Sequence, residues 1–367
     1  MRIAYVGTMG IPAHYGGFET CVEEVATRLA KQGHEITVYC GYRDSDLRLK
    51  SYKHVQLAYV QCLKNKFLDF PFRGLVSTFD ALDDDFDIIH FYGSDAWPFA
   101  FLPRTTSSKT VLSLDSLPWK RTSYPIWVRK ILSFTARFAL YFPHQTTVDS
   151  KYVQEWYSKN FGKSPVYVPY GANINLSKVD TAFLEKNNLE NKKYILFVGR
   201  LVYEKGVHYL INAFNRIDTD FELVIIGGDP YGKQYERFLR KNANKKTKFL
   251  GFVYGSEYEN LCKGAYLYVT PSMLEGTSPA LLTAMALGKC ALVSNIPENL
   301  ETIGDAGFSF RSCDTQDLKL KLDFLLNEPS LVDQMQEKAV TRIKENYNWE
   351  KIAGQLEKIY YSLTRKN

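Results

Sequence analysis

A rhythm of short apolar segments and helical runs, played twice, most constrains what this chain can fold into. Ile3–Val6, Glu35–Cys40, Val55–Val60, Asp87–Phe91, Thr110–Leu114 and Thr146–Val148 are nearly continuous apolar runs, with helical patterns between most of them. Strands of that kind must be buried on both faces, which implies a parallel sheet covered by helices. In the first helical run, Glu19–Gln32, Cys21, Val22, Val25, Ala26 and Leu29 share a face and Gly33 supplies the stop. The rhythm breaks at "PVYVPYGANINLSK", which predicts a linker near Pro169–Asn173, and resumes with "KKYILFVGR", "FELVIIGG", "KFLGFV", "AYLYVTP" and "CALVSN". At 367 residues the chain is too long for one compact core. The expected fold is α/β, with two doubly wound Rossmann-like domains over residues 1–170 and 171–348. An amphipathic helix from Trp349, residues 349–367, is expected to cross back to the N-terminal domain. Ligands of such sheets bind beyond the carboxyl ends of the strands, so two such domains are expected to face a central cleft.

Bulk properties exclude several classes. No apolar run approaches the ~20 residues needed to span a bilayer, and "MRIAYVG" breaks at glycine before a signal peptide's apolar stretch could form. Cys21, Cys40, Cys62, Cys262, Cys290 and Cys313 lie far apart with no CxxC pair, as expected of reduced thiols in a cytoplasmic protein. The net charge of +6 is modest, but its distribution is uneven. From Leu117 to His144, Lys120, Arg121, Arg129, Lys130 and Arg137 have no acidic neighbour and are interleaved with Trp119, Tyr124, Trp127, Phe134, Phe138, Tyr141 and Phe142. Basic and aromatic residues on one helix suit an anionic membrane surface, so residues 117–144 are expected to give peripheral contact with the inner face of the cell membrane. The other expectation is a helix packed on the sheet with its cations solvated. Nucleic acid is not an expected partner, because the charge is confined to this stretch.

Three loops just after strands carry candidate chemistry. "GTMGIPAHYGGFET" places Gly7, Gly10, Gly16 and Gly17 between the first strand and first helix, where backbone amides can approach an anion. Glu19 then opens the helix as an acid favourable to its positive end. In "FVGRLVYEKG", Arg200 and Lys205 suit a diphosphate: Arg gives directional donors and Lys a compact charge. In "PSMLEGTSPALLTAMALG", a loop carrying Glu275, Gly276, Thr277 and Ser278 leads into a short apolar helix, Pro279–Leu287, capped by Ser278 and closed by Gly288. A carboxylate there can accept hydrogen bonds from sugar hydroxyls.

Taken together, these loops resemble the GT-B glycosyltransferases, specifically the retaining group called glycosyltransferase family 4. The resemblance covers nearly the whole chain and is strongest over Tyr194–Gly307, where "VGRLVYEKG", "EGTSPALLTAMALG" and "SNIPENLETIGDAG" fall in order. "GIPAHYGGFET" and "LDSLPWKR" look like a bacterial subgroup containing rhamnosyltransferases of surface-polysaccharide assembly. The resemblance implies a nucleotide-sugar donor whose diphosphate is held by Arg200 and Lys205, with Gly16 and Gly17 lining it from the other domain. It implies that Glu275 contacts the donor sugar beside the amides of Gly276, Thr277 and Ser278. Asp115 matches a position near the acceptor, where it could orient or deprotonate the acceptor hydroxyl or merely cap the following turn. The acceptor is expected to be a glycan, or a polyprenyl-linked glycan at the membrane.

One position departs from the family. The second Glu of its Glu-x7-Glu motif falls at Thr283. That Glu usually accepts hydrogen bonds from the nucleotide's ribose; threonine is shorter and uncharged, and losing a charged hydrogen bond costs about 1.5–3 kcal/mol. A deoxyribose lacks one of those hydroxyls, so a dTDP-sugar such as dTDP-rhamnose fits. The alternative is a catalytically weak GT-B protein that acts as a binding partner in a glycan-assembly complex. A sugar-nucleotide epimerase would need acid–base residues around the sugar that are not evident, and an NAD-dependent oxidoreductase would need GxGxxG spacing that neither glycine loop has. "LDDDFD" contains an Asp-x-Asp pattern but leads into a strand instead of following one, and His14 and His90 have no partner at ligand spacing. No metal or other cofactor is therefore expected.

Overall fold

The structure, a computed structural model, describes every residue except 14–15, 43–47, 64–65, 94–95, 122–123, 230–231 and 366–367, so His14 lies outside the described residues. The chain divides into two compact units. One comprises Met1–Lys120, Tyr124–Tyr170 and Trp349–Asn367, and the other Arg121–Ser123 and Gly171–Asn348.

In the first unit the strands are β1 (Arg2–Val6), β2 (Glu35–Tyr42), β3 (Ser51–Tyr52), β4 (Val55–Gln61), β5 (Ile88–Tyr92), β6 (Lys109–Leu114), β7 (Gln145–Val148) and β8 (Val166–Tyr167). They form one sheet in the order β3-β4-β2-β1-β5-β6-β7-β8, parallel except for β3. Its helices are α1 (Gly17–Lys31), α2 (Lys66–Asp83), α3 (Trp97–Phe101), α4 (Ile126–Thr135), α5 (Phe138–Tyr141) and α6 (Lys151–Phe161). Two strands escape the apolar pattern. β3 is a two-residue antiparallel edge, and β8 lies inside the proline-rich stretch expected to be linker; both are too short for periodicity to register. Residues 117–144 are not one helix but a 3-10 turn, Pro118–Lys120, followed by α4 and α5. Pro125 restricts the residue before it and precedes the first turn of α4, which prevents one continuous helix.

The second unit contains α7 (Thr181–Lys186), β9 (Tyr194–Val198), α8 (Val207–Phe214), β10 (Glu222–Ile226), α9 (Gln234–Asn242), β11 (Thr247–Gly251), α10 (Gly255–Gly264), β12 (Leu267–Thr270), α11 (Pro279–Ala286), β13 (Cys290–Ser294), α12 (Pro297–Ile303), β14 (Phe308–Phe310), α13 (Thr315–Asn327) and α14 (Pro329–Asn346). Its sheet is wholly parallel, in the order β11-β10-β9-β12-β13-β14. Ile195, Phe197, Leu223, Ile225, Leu267 and Val269 are fully buried in it, each contributing about 1.5–3 kcal/mol of hydrophobic stabilisation. In both sheets the strand order reverses at the unit's first long strand, β1 or β9. The crevice-forming switch point of a doubly wound fold therefore lies beside the loops that follow them.

The last helix, α15 (Trp349–Thr364), packs on α1 in the first unit. Arg28 Nε donates to Glu350 at 2.8 Å, and His34 Nε2 meets Glu357 at 2.8 Å. Tyr360 reaches into the sheet, where its hydroxyl lies 2.6 Å from His90 Nδ1 and 3.2 Å from the Tyr5 hydroxyl. His90 Nε2 contacts Ser113 Oγ at 2.7 Å. His90 is thus a completely buried member of this polar cluster. Burial depresses its pKa to about 3.

Candidate active site

Each unit gathers its candidate residues at the carboxyl ends of its central strands. In the second unit, β9 runs into Gly199 and Arg200, then a 3-10 turn, Tyr203–Lys205, and α8. The turn leaves no room for side chains at two points. A Cβ on Gly227 would fall 1.9 Å from the Gly199 carbonyl, and one on Gly206, at φ +64°, would fall 2.2 Å from the Pro271 carbonyl. The Met273 amide donates to the Glu204 carbonyl at 2.8 Å, joining this loop to the one after β12.

That junction brings Lys205 and Glu275 together. Lys205 Nζ forms an ion pair with Glu275 Oε1, and Ser272 Oγ donates to the same oxygen at 2.6 Å. Behind Ser272 stands a second tier. Ser294 Oγ donates to the Ser272 carbonyl, and Asn299 Nδ2 donates to Ser294 Oγ at 3.0 Å. Thr277 and Ser278 are buried in the same loop, and Gly276 is half-buried. Ser278 caps α11, accepting from the Leu281 amide at 3.5 Å, with Pro279 as the first helical residue. Arg200 is exposed and makes no ion pair among the described residues. Thr283, just over one turn into α11, is half-buried, and its hydroxyl acts to lower the pKa of Tyr258 on α10, which burial raises well above the usual tyrosine value.

Ser272, Ser294 and Asn299 were invisible as functional candidates from spacing alone. Ser272 and Ser294 are nonetheless buried polar residues at or just beyond the carboxyl end of an apolar strand, a signal readable in "VTPS" and "LVSN", whereas Asn299 lies on α12 and carries no such signal. The chain here presents one carboxylate, held rigidly between a cation and a hydroxyl, with a second, unpaired cation five residues before Lys205. Such a set can bind a group that carries both hydroxyls and negative charge.

In the first unit the glycine-rich loop is anchored by acids from α1. The helix begins at Gly17, two residues before the acid expected to open it. Glu19 turns back, and its Oε1 accepts from the Met9 amide at 2.9 Å; Glu23 Oε2 accepts from the Ala13 amide at 2.7 Å. Gly16 has φ +91°, and an added Cβ would sit 2.5 Å from Glu19 Oε2, so only glycine fits. Asp115 follows β6 and is half-buried. Burial raises the Glu19 pKa, the Met9 amide lowers it, and the Asp115 charge adds to the rise. Ser116, beside Asp115, has φ +43° and a buried hydroxyl with no hydrogen-bond partner among the described residues. Asp87 of the acidic run accepts from the Arg2 amide at 2.7 Å. Among the described residues, no three His, Cys, Asp or Glu side chains are grouped as metal ligands would be.

Comparison with known proteins bears on this geometry. Residues 15–175 match the model of Glycosyltransferase Family 4, and residues 179–342 that of Glycosyl transferases group 1. The chain belongs to the GT-B glycosyltransferases of this group. An uncharacterized glycosyltransferase of Methanocaldococcus jannaschii is 25% identical over 365 residues, covering 96% of both chains. A second from that organism is 31% identical over 176 residues, and the match spans 47% of this chain and 45% of that one. The O-antigen chain mannosyltransferase C of Escherichia coli is 24% identical over 75% of this chain and 73% of its own. Among solved structures, sucrose-phosphate synthase from Thermosynechococcus elongatus superposes with a TM-score of 0.86 at 20% identity, over 100% of both chains. Anabaena HepE in complex with UDP and glucose superposes with a TM-score of 0.82 at 17% identity, over 99% of this chain and 100% of that one. These likenesses establish the two-domain α/β architecture of this glycosyltransferase. Among the described residues, no helix is long and apolar enough to cross a membrane.

Proposed function

We propose that this glycosyltransferase moves a sugar, L-rhamnose, from a nucleotide-sugar donor to a glycan or lipid-linked glycan acceptor in polysaccharide biosynthesis, with retention and without a metal. The observation that carries the donor half of this reading is the Lys205–Glu275–Ser272 cluster between the ends of β9 and β12, with Arg200 free beside β9. In the reaction the bond from the sugar's anomeric carbon to the diphosphate breaks, and the acceptor oxygen forms the new one. Arg200 and Lys205 stabilise the negative charge that develops on the departing diphosphate. Glu275 holds the donor sugar through its hydroxyls, with Gly276, Thr277 and Ser278 beside it, and Gly16 and Gly17 let the diphosphate approach the first unit's backbone. Asp115 orients the acceptor hydroxyl and takes its proton.

The donor's nucleotide follows from Thr283. It offers no carboxylate to a ribose, which favours a deoxyribose-bearing donor, dTDP-rhamnose. The O-antigen mannosyltransferase and the UDP-binding HepE support a polysaccharide context and a nucleotide-sugar donor respectively. The same threonine favours a second reading, a weakly active binding partner in an assembly complex.

Binding of UDP, GDP, ADP and dTDP, with their sugar conjugates, to wild type, Arg200→Ala and Thr283→Glu separates the two. The transferase reading expects preference for dTDP, abolished by Arg200→Ala. Failure to bind any nucleotide, with binding restored in Thr283→Glu, would establish the second reading.

A further inference from the structure

The first unit wears part of its hydrophobic surface on the outside. In α4 the residues at four-residue spacing, Ile126, Lys130 and Phe134, share one face with Trp127 and Ile131, and all five are exposed. Ile126, Trp127 and Phe134 are 69%, 64% and 61% exposed. Leu132, on the opposite side, packs against the core, and no residue of α4 is fully buried. The helix is therefore amphipathic with its apolar face turned outward, the reverse of an ordinary surface helix.

This face does not end with α4. Phe134 meets Phe138 of α5 with ring centroids 6.4 Å apart, Phe138 stacks on Phe142 at 5.2 Å, and Phe142 meets the exposed Phe101 of α3 at 5.1 Å. On α3's other side Phe99 packs so tightly on α2 that a Cβ on Gly74 would lie 2.6 Å from its ring. α2 repeats the inversion: Gly74, Thr78 and Ala81 are buried, whereas Phe72, Leu75, Val76 and Phe79, at helical spacing, are exposed. Exposed apolar surface of this kind marks an interaction site.

Charge selects the occupant. Residues 117–144 hold five Lys and Arg and no acid. Lys130 is exposed on this face, Lys120 in the preceding turn donates to the Tyr152 hydroxyl of α6, and Arg137 lies over the Phe134 ring at 4.1 Å. On α2, Asp69 is paired with Arg73 and Asp80 accepts from the Tyr39 hydroxyl, while Asp83, the last residue of the helix, is exposed. Outward Trp, Phe and Ile flanked by cations is the composition that seats a helix at the boundary between anionic headgroups and acyl chains.

We propose that the outer faces of α4 and α2 dock this enzyme on an anionic lipid surface, with Trp127, Ile131 and Phe134 inserted between headgroups and Lys130 on the phosphates. The inference deepens the reading of a lipid-linked acceptor, and rests on it for its purpose, but its test needs neither donor nor acceptor. Sedimentation with phosphatidylcholine vesicles, with or without phosphatidylglycerol, would compare wild type with W127S/I131S/F134S, K130Q and F72S/F79S. Thermal melting and nucleotide binding of each variant would verify folding. Wild type should bind only the anionic vesicles. The α4 apolar variant should lose at least tenfold in partition, and the other two severalfold. Wild-type partition of F72S/F79S would overturn the assignment of α2. Equal partition of wild type and the α4 variant, or no binding by wild type, would overturn the proposal. So would a wild-type dimer without vesicle binding that becomes monomeric in the α4 variant, since the face would then belong to a second copy. Nucleotide binding without vesicle binding would leave the donor chemistry standing, and the converse would leave the docking face standing.

Discussion

Glu19 and Glu275 are equally buried, each 8% exposed, and each holds a loop at the end of a central strand, yet their partners differ in kind. Glu19 accepts from a neutral backbone amide, and burial pushes its pKa up against that amide and the Arg73 charge, which outweighs the charge of Asp115. Glu275 accepts from a lysine and a serine. The lesson is that two glutamates following comparable glycine- and serine-rich loops are chemically distinct. One is a clamp on its own backbone. The other is a carboxylate prepared for a substrate, because its cation can turn to a diphosphate while the serine keeps it in place.

The largest break in this comparison should come from Glu275→Gln. It should lower kcat by about a hundredfold, as expected for losing a charged hydrogen bond to the donor, whereas Glu19→Gln, which still offers Met9 an acceptor, should leave kcat within a few-fold. A stability cycle of Glu275→Gln with Lys205→Met should show coupling of about 1–3 kcal/mol, since either change alone strands its partner. Independent effects would remove the pair from the account of the site.

The next effect is a pH dependence of opposite sign at two buried groups. His90 has its pKa depressed to about 3 from 6.5. The unfolded chain therefore binds the extra proton first, and stability falls as pH drops through that window, by about 1.4 kcal/mol per unit. Glu19 has its pKa raised from 4.5. Its contribution is fully present below that value and is lost as pH rises through the folded-state pKa. Just above pH 4.5 the two slopes oppose. Urea unfolding should show that Glu19→Gln steepens the acid loss and His90→Gln flattens or reverses it. Parallel profiles for all three proteins would sink this assignment.

The smallest effect sharpens the comparison within the second unit. Thr283→Val removes the hydroxyl that acts on Tyr258 and should lower stability by about 1 kcal/mol, with kcat unchanged. A change in the nucleotide preferred, with stability unaltered, would mean that Thr283 faces the donor instead of α10.

Much of this molecule was legible in its residues. The central strands β1, β5, β9 and β12 are apolar runs that cannot be stable except when covered on both faces, so the α/β class follows from composition and period alone. The helix over Val207–Phe214 and the serine cap and proline start of α11 also follow from local chemistry. The positions of Arg200, Lys205, Glu275 and Asp115 just after strands follow from the same alternation.

Other features required the tertiary structure. His90 looks like any histidine at a strand's end, and only the arrival of Tyr360, 270 residues away, makes it a buried structural group. The 70 residues between Lys205 and Glu275 carry no sign that the two will pair. Ser294 and Asn299 become supports for Glu275 only because β13 lies beside β12. The outward apolar face of α4 is likewise a matter of which side meets the core, and a helical period reads the same in either orientation. The sequence by itself determined which segments must be buried and where loops must bend, because those depend on local sterics and apolar periodicity. Which buried polar groups meet was decided by strand order and register, which bring together residues far apart in the chain.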